Sequence, residues 1–468
     1  MKKGHSLGHG FFILLTCFLF GLKLFEARSQ AQTAHTEAYL LGVRIEQGFR
    51  NNDVSAFAKA FDVEMFLNRI TDGMPGSDDQ KQNIRKGIRS RLEPTKLAEA
   101  AGKSGKELTF VGVRSLNNEY QLLFRSNDAK DAITYFGYTL AQTPQGGTAI
   151  ADIFYFAPGI TMSEVARRGY VLALTAIDRT AIDSLSAKQK DFVNSQAEWN
   201  AFLARCESQK FALVVAAYSK LPLSLQQDKF ALFNRTRAAL GEDEKTFLEA
   251  IAPWQQLYPN DPVLERFVGE YYWDKDQNAK AMASFERLNK LLGGDADLDL
   301  RISKIHQGLG QTNEAKACLW EAVKRDPPDA KAFAAMLKST LAEKKFDESA
   351  RVLSIQEMAF RTDLKPLVKS DATYEEFRKS AAYQIWLKAP PAQPLASENL
   401  PTTAKPDADS FKLQGIMFTA DPSAFINGKT VFVGDKIGAY KVTKIEQQSV
   451  TLQSPSGQTK VLTSKPSP

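Results

Sequence analysis

Asp152, Tyr155 and Tyr138 are the residues best suited by type and spacing to proton-transfer chemistry; they lie in the stretches GTAIADIFYFAP and AITYFGYTLAQT. A carboxylate buried beside a phenol takes a shifted pKa and can work as an acid or base. Strand alternation puts Ile153 and Tyr155 on one face, with Asp152, Phe154 and Phe156 on the other. Asp152 then lies among aromatic rings, either as a pocket group or as one hydrogen-bonded structural carboxylate. The structural role is the expected one.

Other chemistry is sparse. His35 and His306 are the histidines beyond the first thirty-one residues, and no His-Cys cluster has metal-ligand spacing. No Gly-rich phosphate loop and no nucleophile elbow occurs. The run Gly294–Asp297 (GDAD), followed by Asp299, has part of a calcium loop's composition but lacks its ligand spacing and closing Glu. It is expected to be a solvated turn. Trp254, Tyr272, Trp273 and Phe285 are expected in a core, and Cys206 and Cys318 as buried free thiols on helices. The chain is therefore expected to be non-enzymatic, with no catalytic residues, cofactor or metal.

The elements that carry these residues begin after an export-like segment. MKKGHSLGHG holds two lysines; FFILLTCFLFGLKLF is an apolar run broken by Thr16, Gly21 and Lys23; Ser29 and Ala31 then sit at cleavage-site places. That order is the pattern of a signal peptide over residues 1–31, and the run is short against the roughly twenty residues that span a bilayer. The expectation is export to the periplasm or cell envelope, with membrane association only if the segment stays uncleaved. Cys17, followed by Phe18, is a poor lipid-attachment site. Cleavage removes Lys2, Lys3, Lys23, Arg28 and Glu26, taking the formal charge from +6 to +3. Such a balance carries no nucleic-acid footprint.

A period of 34 runs through the middle of the chain. Phe247, Ala281, Ala315 and Ser349 share that step, as do Ile251, Phe285, Leu319 and Leu353. Trp254, Leu288 and Ala322 keep it, and so do the terminators Pro259, Gly293 and Pro327. A small residue, an aromatic or aliphatic one four later, another three after that and then a breaker make this stretch resemble the tetratricopeptide-repeat family. The resemblance covers about 195–387 and implies an all-α solenoid whose surface takes protein partners. Gly269, Tyr272, Gly308 and Gly310 fall at packing and turn places of the first helices. Arg235 and Ser303 depart from the pattern where small residues are usual. YEEFRKSAAYQIWL (Tyr374–Leu387) reads as a capping helix with Phe377, Tyr383 and Trp386 inward.

Ahead of the repeats, residues 36–180 change period. Helical spacing in TEAYLLGVRIEQGFRNNDVSAFAKAFDVEMFLNRI, and in DDQKQNIRKGIRSRLEPTKLAEAA with a break at Pro94, gives way to four strands. These are ELTFVGVRSL, EYQLLFRS, AITYFGYTLAQT and GTAIADIFYFAP, separated by Asn117-Asn118, Asn127-Asp128 and Gly146-Gly147. Helices followed by a meander predict an α+β domain with a curled sheet. FDVEMFLNRI, YQLLFR, ITYFGYTL and ADIFYFAPGITMSE resemble nuclear-transport-factor-2-like domains. Members of that fold include enzymes, so the resemblance keeps a ligand-binding or enzymatic pocket as the alternative.

After the repeats, Lys388–Ser410 is Pro-rich and reads as a semi-extended tether. Residues 411–464 then predict a small all-β domain: FKLQGIMFTA, AFINGK, TVFVGDKI, YKVTKIEQQ, SVTLQSPS and QTKVLTS. Asn427-Gly428 is a hairpin signal. Val431, Val433, Val442, Ile445, Val450 and Leu452 are expected to share its core. KLQGIMF, AFINGKTVFVGDKIGAYKVTKIEQQSVTL and GQTKVL resemble the homology region of type II secretion protein C and the β domain of type IV pilus lipoprotein P. That resemblance implies a non-catalytic periplasmic module that docks onto secretion or pilus machinery, although the first half of the chain belongs to neither family. The candidate partner-binding residues are Gln414, Gly415 and Ile416 on an edge strand, with the face around Asn427, Gly428 and Asp435 as the next candidate. A periplasmic adaptor joining protein partners is the function expected.

Overall fold

The structure, a computed structural model, describes residues 35–103, 108–116, 119–127, 133–144, 147–208, 210–389, 411, 413–417, 423–426, 429–437, 440–446, 448–454 and 457–463. The export-like segment, tether residues 390–410 and the pair Asn427-Gly428 lie outside them. The chain divides into two compact units, Met1–Gly293 and Gly294–Pro468.

The first unit opens with α1 (35–50), α2 (Ser55–Ala60), α3 (Val63–Thr71), α4 (Asp78–Arg89) and α5 (Pro94–Lys103). Pro94 starts α5, where its missing N–H costs nothing. Ahead of α2, Asp53 accepts from the Ser55 amide at 2.8 Å, while Val54 at the cap makes no side-chain bond.

Five strands follow in sequence order, all antiparallel: β1 (Leu108–Leu116), β2 (Glu119–Asn127), β3 (Ile133–Gln142), β4 (Thr148–Tyr155) and β5 (Ile160–Thr161). Helix α6 (Met162–Ile177) starts directly from β5 with a capping box, Thr161 and Glu164 reciprocally bonded, as the T-x-x-E spacing dictates. One face of the sheet packs on the helices. Phe57, Phe66, Ile70, Phe110, Phe124, Tyr138, Ile153 and Leu174 share that core. The Tyr138 ring lies 4.9 Å from Phe57 and 5.1 Å from Phe124. A bulge opposite Thr139 and Leu140 leaves Ala151 unpaired, so Ile150 and Ile153 both reach this core.

The unit continues through α7 (Ala187–Asn194), α8 (Gln196–Ser208), α9 (Phe211–Tyr218), α10 (Leu223–Gln226), α11 (Lys229–Ala238), α12 (Glu244–Leu257), α13 (Pro262–Asp274) and α14 (Asn278–Leu291). In α14 the buried residues form one stripe, Ala281, Ser284, Phe285 and Leu288. Helix α13 is different: Pro262 to Gly269 are all buried. It packs against α14 on one side, where a Cβ on Gly269 would meet the Phe285 ring at 2.6 Å, and its Arg266 guanidinium donates to the Ile133 carbonyl of the sheet at 2.8 Å. Arg235, unusual in its place, reaches over the Tyr218 ring and donates to the Glu249 carbonyl.

The second unit holds α15 (Ala296–Gly308), α16 (Thr312–Val323), α17 (Ala330–Ala342), α18 (Phe346–Phe360), α19 (Lys365–Ser370), α20 (Glu375–Arg378) and α21 (Ala381–Lys388). All eleven core positions of the 34-residue period, from Phe247 through Leu353, are at most 3% exposed. Each falls on the second helix of a consecutive pair, which is the arrangement of a tetratricopeptide-like solenoid. Ser303 fits by donating to the Ala315 carbonyl at 2.8 Å.

Two expectations for the helical part of this unit are corrected. The GDAD turn is not solvated: Asp295, Asp297 and Asp299 are buried. Asp297 pairs with Arg301 at 3.0 Å, and Asp299 takes two bonds from Arg325 at 2.6 and 3.1 Å. The single capping helix is broken instead, because Ser380 accepts from the Tyr383 amide and starts α21 afresh after α20. Phe377, Tyr383 and Trp386 are nonetheless buried.

The β module contains two sheets. One has the order β6 (Leu413–Met417), β7 (Ser423–Ile426), β8 (Lys429–Phe432). The other runs β12 (Thr459–Thr463), β11 (Ser449–Gln453), β10 (Tyr440–Ile445), β9 (Lys436–Ile437). Val431, Val442, Ile445, Val450 and Leu452 are buried in one cluster. Val433 is not: it is 52% exposed. The expected strand TVFVGDKI breaks there, since Gly434 takes φ 102° and turns the chain between β8 and β9, a conformation that glycine adopts without strain.

Candidate functional site

Beside the amino-terminal sheet lies a cleft of about 500 Å³, lined among others by Arg69 of α3, Glu119 and Gln121 of β2, Ser163 and Arg167 of α6, and Lys229 of α11. Asp152 is fully buried and bonds two of the lining residues, Ser163 and Arg69. Its Oδ1 accepts the Ile153 amide at 2.8 Å and the Ser163 amide at 3.1 Å. Its Oδ2 accepts the Ser163 hydroxyl and pairs with Arg69 Nε at 3.1 Å. One carboxylate thus ties β4 to the first turn of α6 and to α3. Burial pushes Asp152 above the ordinary Asp value, against the opposing pull of the Ser163 and Ile153 bonds and of Arg69.

The cations of the cleft are engaged as well. Arg69 also bonds Glu119 at 2.5 Å; burial alone would lower its pKa, but Glu119 and Asp152 hold it above the ordinary value. Arg167 donates to the carbonyls of Arg69 and Asp72, both at 2.8 Å. Lys229 pairs with Asp261 at 3.0 Å.

Tyr155 and Tyr138 do not complete a catalytic set with Asp152. Both contribute to the core on the other face of the sheet, and burial raises both phenols, Tyr155 further by the nearby Asp152 charge. The Tyr138 hydroxyl is buried and has no hydrogen-bond partner among the described residues. Asp152 acts as a three-way structural tie. Sequence reasoning missed Arg69, whose pairing with Asp152 spans 83 residues; the T-x-x-E capping signal at Thr161–Glu164 was the available clue to Ser163. No group of three or more His, Cys, Asp or Glu suited to a metal exists among the described residues. Neither Cys206 nor Cys318 forms a disulfide among the described residues; Cys206 is buried, which pushes its thiol up to about 11, whereas Cys318, expected to be buried, is only partly so.

The candidate docking residues fall on different parts of the β module. Gln414, Gly415 and Ile416 belong to β6, which pairs with β7 and ends the three-stranded order. The register passes from Leu413 opposite Ile426 to Gly415 opposite Phe425, which makes Gln414 the extra residue of a bulge. Bulges on edge strands disrupt the ladder locally. Asp435 lies beyond β8, just before β9 of the other sheet, and its carbonyl accepts the Val442 amide at 2.8 Å. The structure therefore does not gather these residues into one described site.

No protein-family model matches the chain, and no curated protein matches it. Among solved structures, a crystal structure of MamA protein is similar at 12% identity, over 36% of this chain and 92% of that one, with a TM-score of 0.29. A second MamA crystal structure is similar at 12% identity over 38% of this chain and 99% of that one, with a TM-score of 0.26. Similarity at that level says nothing of activity or partners; the helix-pair architecture stands on the 34-residue burial register. Among the described residues no helix is long and apolar enough to cross a membrane.

Proposed function

We propose that the chain is a non-catalytic scaffold of the cell envelope, exported by its amino-terminal segment, that joins protein partners in a secretion or pilus-like complex. The observation that carries this reading is the 34-residue register of buried positions on successive helix pairs. Stacked pairs bury their cores against neighbours and leave extended surfaces for partners. The β module adds β6, the terminal strand of its sheet, as the candidate for pairing with a partner strand beyond the Gln414 bulge. Two modest sites on one chain raise each other's effective concentration through the tether. The test is a pull-down from envelope extract with full-length and tail-deleted protein. Enrichment of a secretin or pilus component only with the tail present supports the reading; capture that ignores the tail, or no such component, removes it.

One observation favours a second reading, a small-ligand site in the amino-terminal part: the charged 500 Å³ cleft beside Asp152. Native mass spectrometry of the purified protein showing a stoichiometric small molecule, lost on Arg69→Ala, would favour that reading over the scaffold.

A further inference from the structure

The outward face of the four-stranded sheet brings lysines together. Lys441 on β10 stands directly opposite Lys436 on β9, and on its other side opposite Gln453 of β11. The bulge at Thr443 returns Lys444 to this same outward face, opposite Thr451, after Val442 has turned into the core. All three lysines are exposed, whereas Ile437, Val442 and Ile445 on the same two strands are buried. Like charges directly opposite across an antiparallel pair are unfavourable. Lys444 has an ion pair with Glu446, but among the described residues neither the Lys436 nor the Lys441 side chain forms an ion pair. The remainder of the face is hydroxyl and amide, from Thr451, Gln453 and Thr459, with Val461 exposed on β12.

We propose that this lysine face docks an extended acidic segment of a protein partner. This rests on the scaffold reading and names the chemistry of what its β module takes. Lys436 and Lys441 lie one strand spacing apart, about 5 Å, and Lys444 follows at the next outward place on β10, about 7 Å along. A partner strand with Asp or Glu at alternate positions repeats at about 7 Å, so successive carboxylates meet Lys441 and Lys444 while Lys436 flanks them. A carboxylate between Lys436 and Lys441 relieves their repulsion. A lipid surface fits less well, because the face offers no aromatic or long aliphatic row to insert.

The experiment uses the full-length protein and a fluorescent peptide of alternating Glu and Thr, followed by anisotropy at low and high salt. Wild type is expected to bind it and to weaken as salt rises. Lys436→Gln with Lys441→Gln should weaken binding about 2- to 30-fold, from two exposed charge contacts. Lys338→Gln with Lys369→Gln, exposed lysines of the helical part, should leave it unchanged. The double variant should keep wild-type circular dichroism and melt no lower, since a repulsion is removed. No binding by wild type, or equal loss in the control pair, overturns the proposal. Vesicles containing phosphatidylglycerol form a second arm: lysine-dependent vesicle binding without peptide binding assigns the face to lipid and overturns the acidic-segment assignment. In the envelope pull-down, a partner retained by the double variant removes this face while the scaffold stands. Failure of wild type to capture any envelope component removes the scaffold reading instead, and the peptide measurement still judges the face.

Discussion

Truncating Leu319 tests the repeat register more sharply than any other single change. Leu319 is 3% exposed on α16, in a cluster with Leu300, Ala322, Val323, Phe333 and Met336. Leu319→Ala deletes three buried carbons, about 2.4 kcal/mol at about 0.8 each. The void adds a further cost, with the whole Leu→Ala range about 2–5 kcal/mol. Met336 is flexible enough to fill part of the hole, which sets the expectation at about 3 kcal/mol, in the lower half of that range. A chain with several cores need not unfold in one step, so a global denaturation midpoint is the wrong readout. Native-state hydrogen exchange over α15–α18 reads the local opening free energy directly. Leu309→Ala, at a residue 45% exposed, serves as the control and should stay within about 0.5 kcal/mol. A loss below about 1 kcal/mol for Leu319→Ala would show that this position is not a core place of the repeat.

Three further outcomes follow from the geometry. Lys345, with Ser339 and Lys316 and against some burial, holds the Glu343 carboxyl down to about 2 from an ordinary 4.5. A depressed carboxyl stabilises the fold above its unfolded value and loses that contribution as pH falls; acid melting profiles of wild type and Glu343→Gln should therefore converge between pH 4.5 and 2, and parallel profiles would refute the assignment. Asp152 is raised from 3.8 mainly by burial, so its contribution is complete below 3.8 and is lost as pH rises through the elevated folded value. Relative to Asp152→Asn, wild type should lose stability over that rise, and a relative gain would overturn the sign. Val442→Ala should destabilise the β module by about 2 kcal/mol, from two buried carbons and a small cavity, whereas Val433→Thr should be nearly silent; thermal melts that reverse this order would return Val433 to the core.

The period of 34 was legible because each repeat solves the same burial problem with the same spacing, so Phe285 and Leu319 announce one another. The strands of the amino-terminal sheet were legible for a similar reason: alternation and turn residues are local. What escaped the sequence was decided at a distance. Nothing near Asp299 reveals that Arg325 will pair with it, and nothing near Asp152 names Arg69, whereas Asp297 and Arg301 stand at the local i,i+4 spacing of one helix. Local punctuation can mislead too. Ser380 was hidden inside an apolar helical pattern, yet its hydroxyl starts a new helix. Val433 alternates correctly with Val431, but the positive φ of Gly434 ends that strand before the alternation can take effect. The opposite placement of Asp152 and Tyr155 was legible as well, because strand alternation assigns the two faces without reference to any distant partner.

Helix α13, buried from Pro262 through Gly269 because it serves both its partner helix and the sheet, has a consequence for how this chain can vary. In a saturation mutagenesis map, α14 should show tolerance rising and falling every three to four residues, with Ala281, Ser284, Phe285 and Leu288 as the intolerant beats. Across α13 that rhythm should vanish into an unbroken band, because no side of the helix is spare. The same band limits recombination. A crossover placed inside it would have to bring matching sheet residues along with the repeat, whereas an amphipathic helix needs only a compatible stripe.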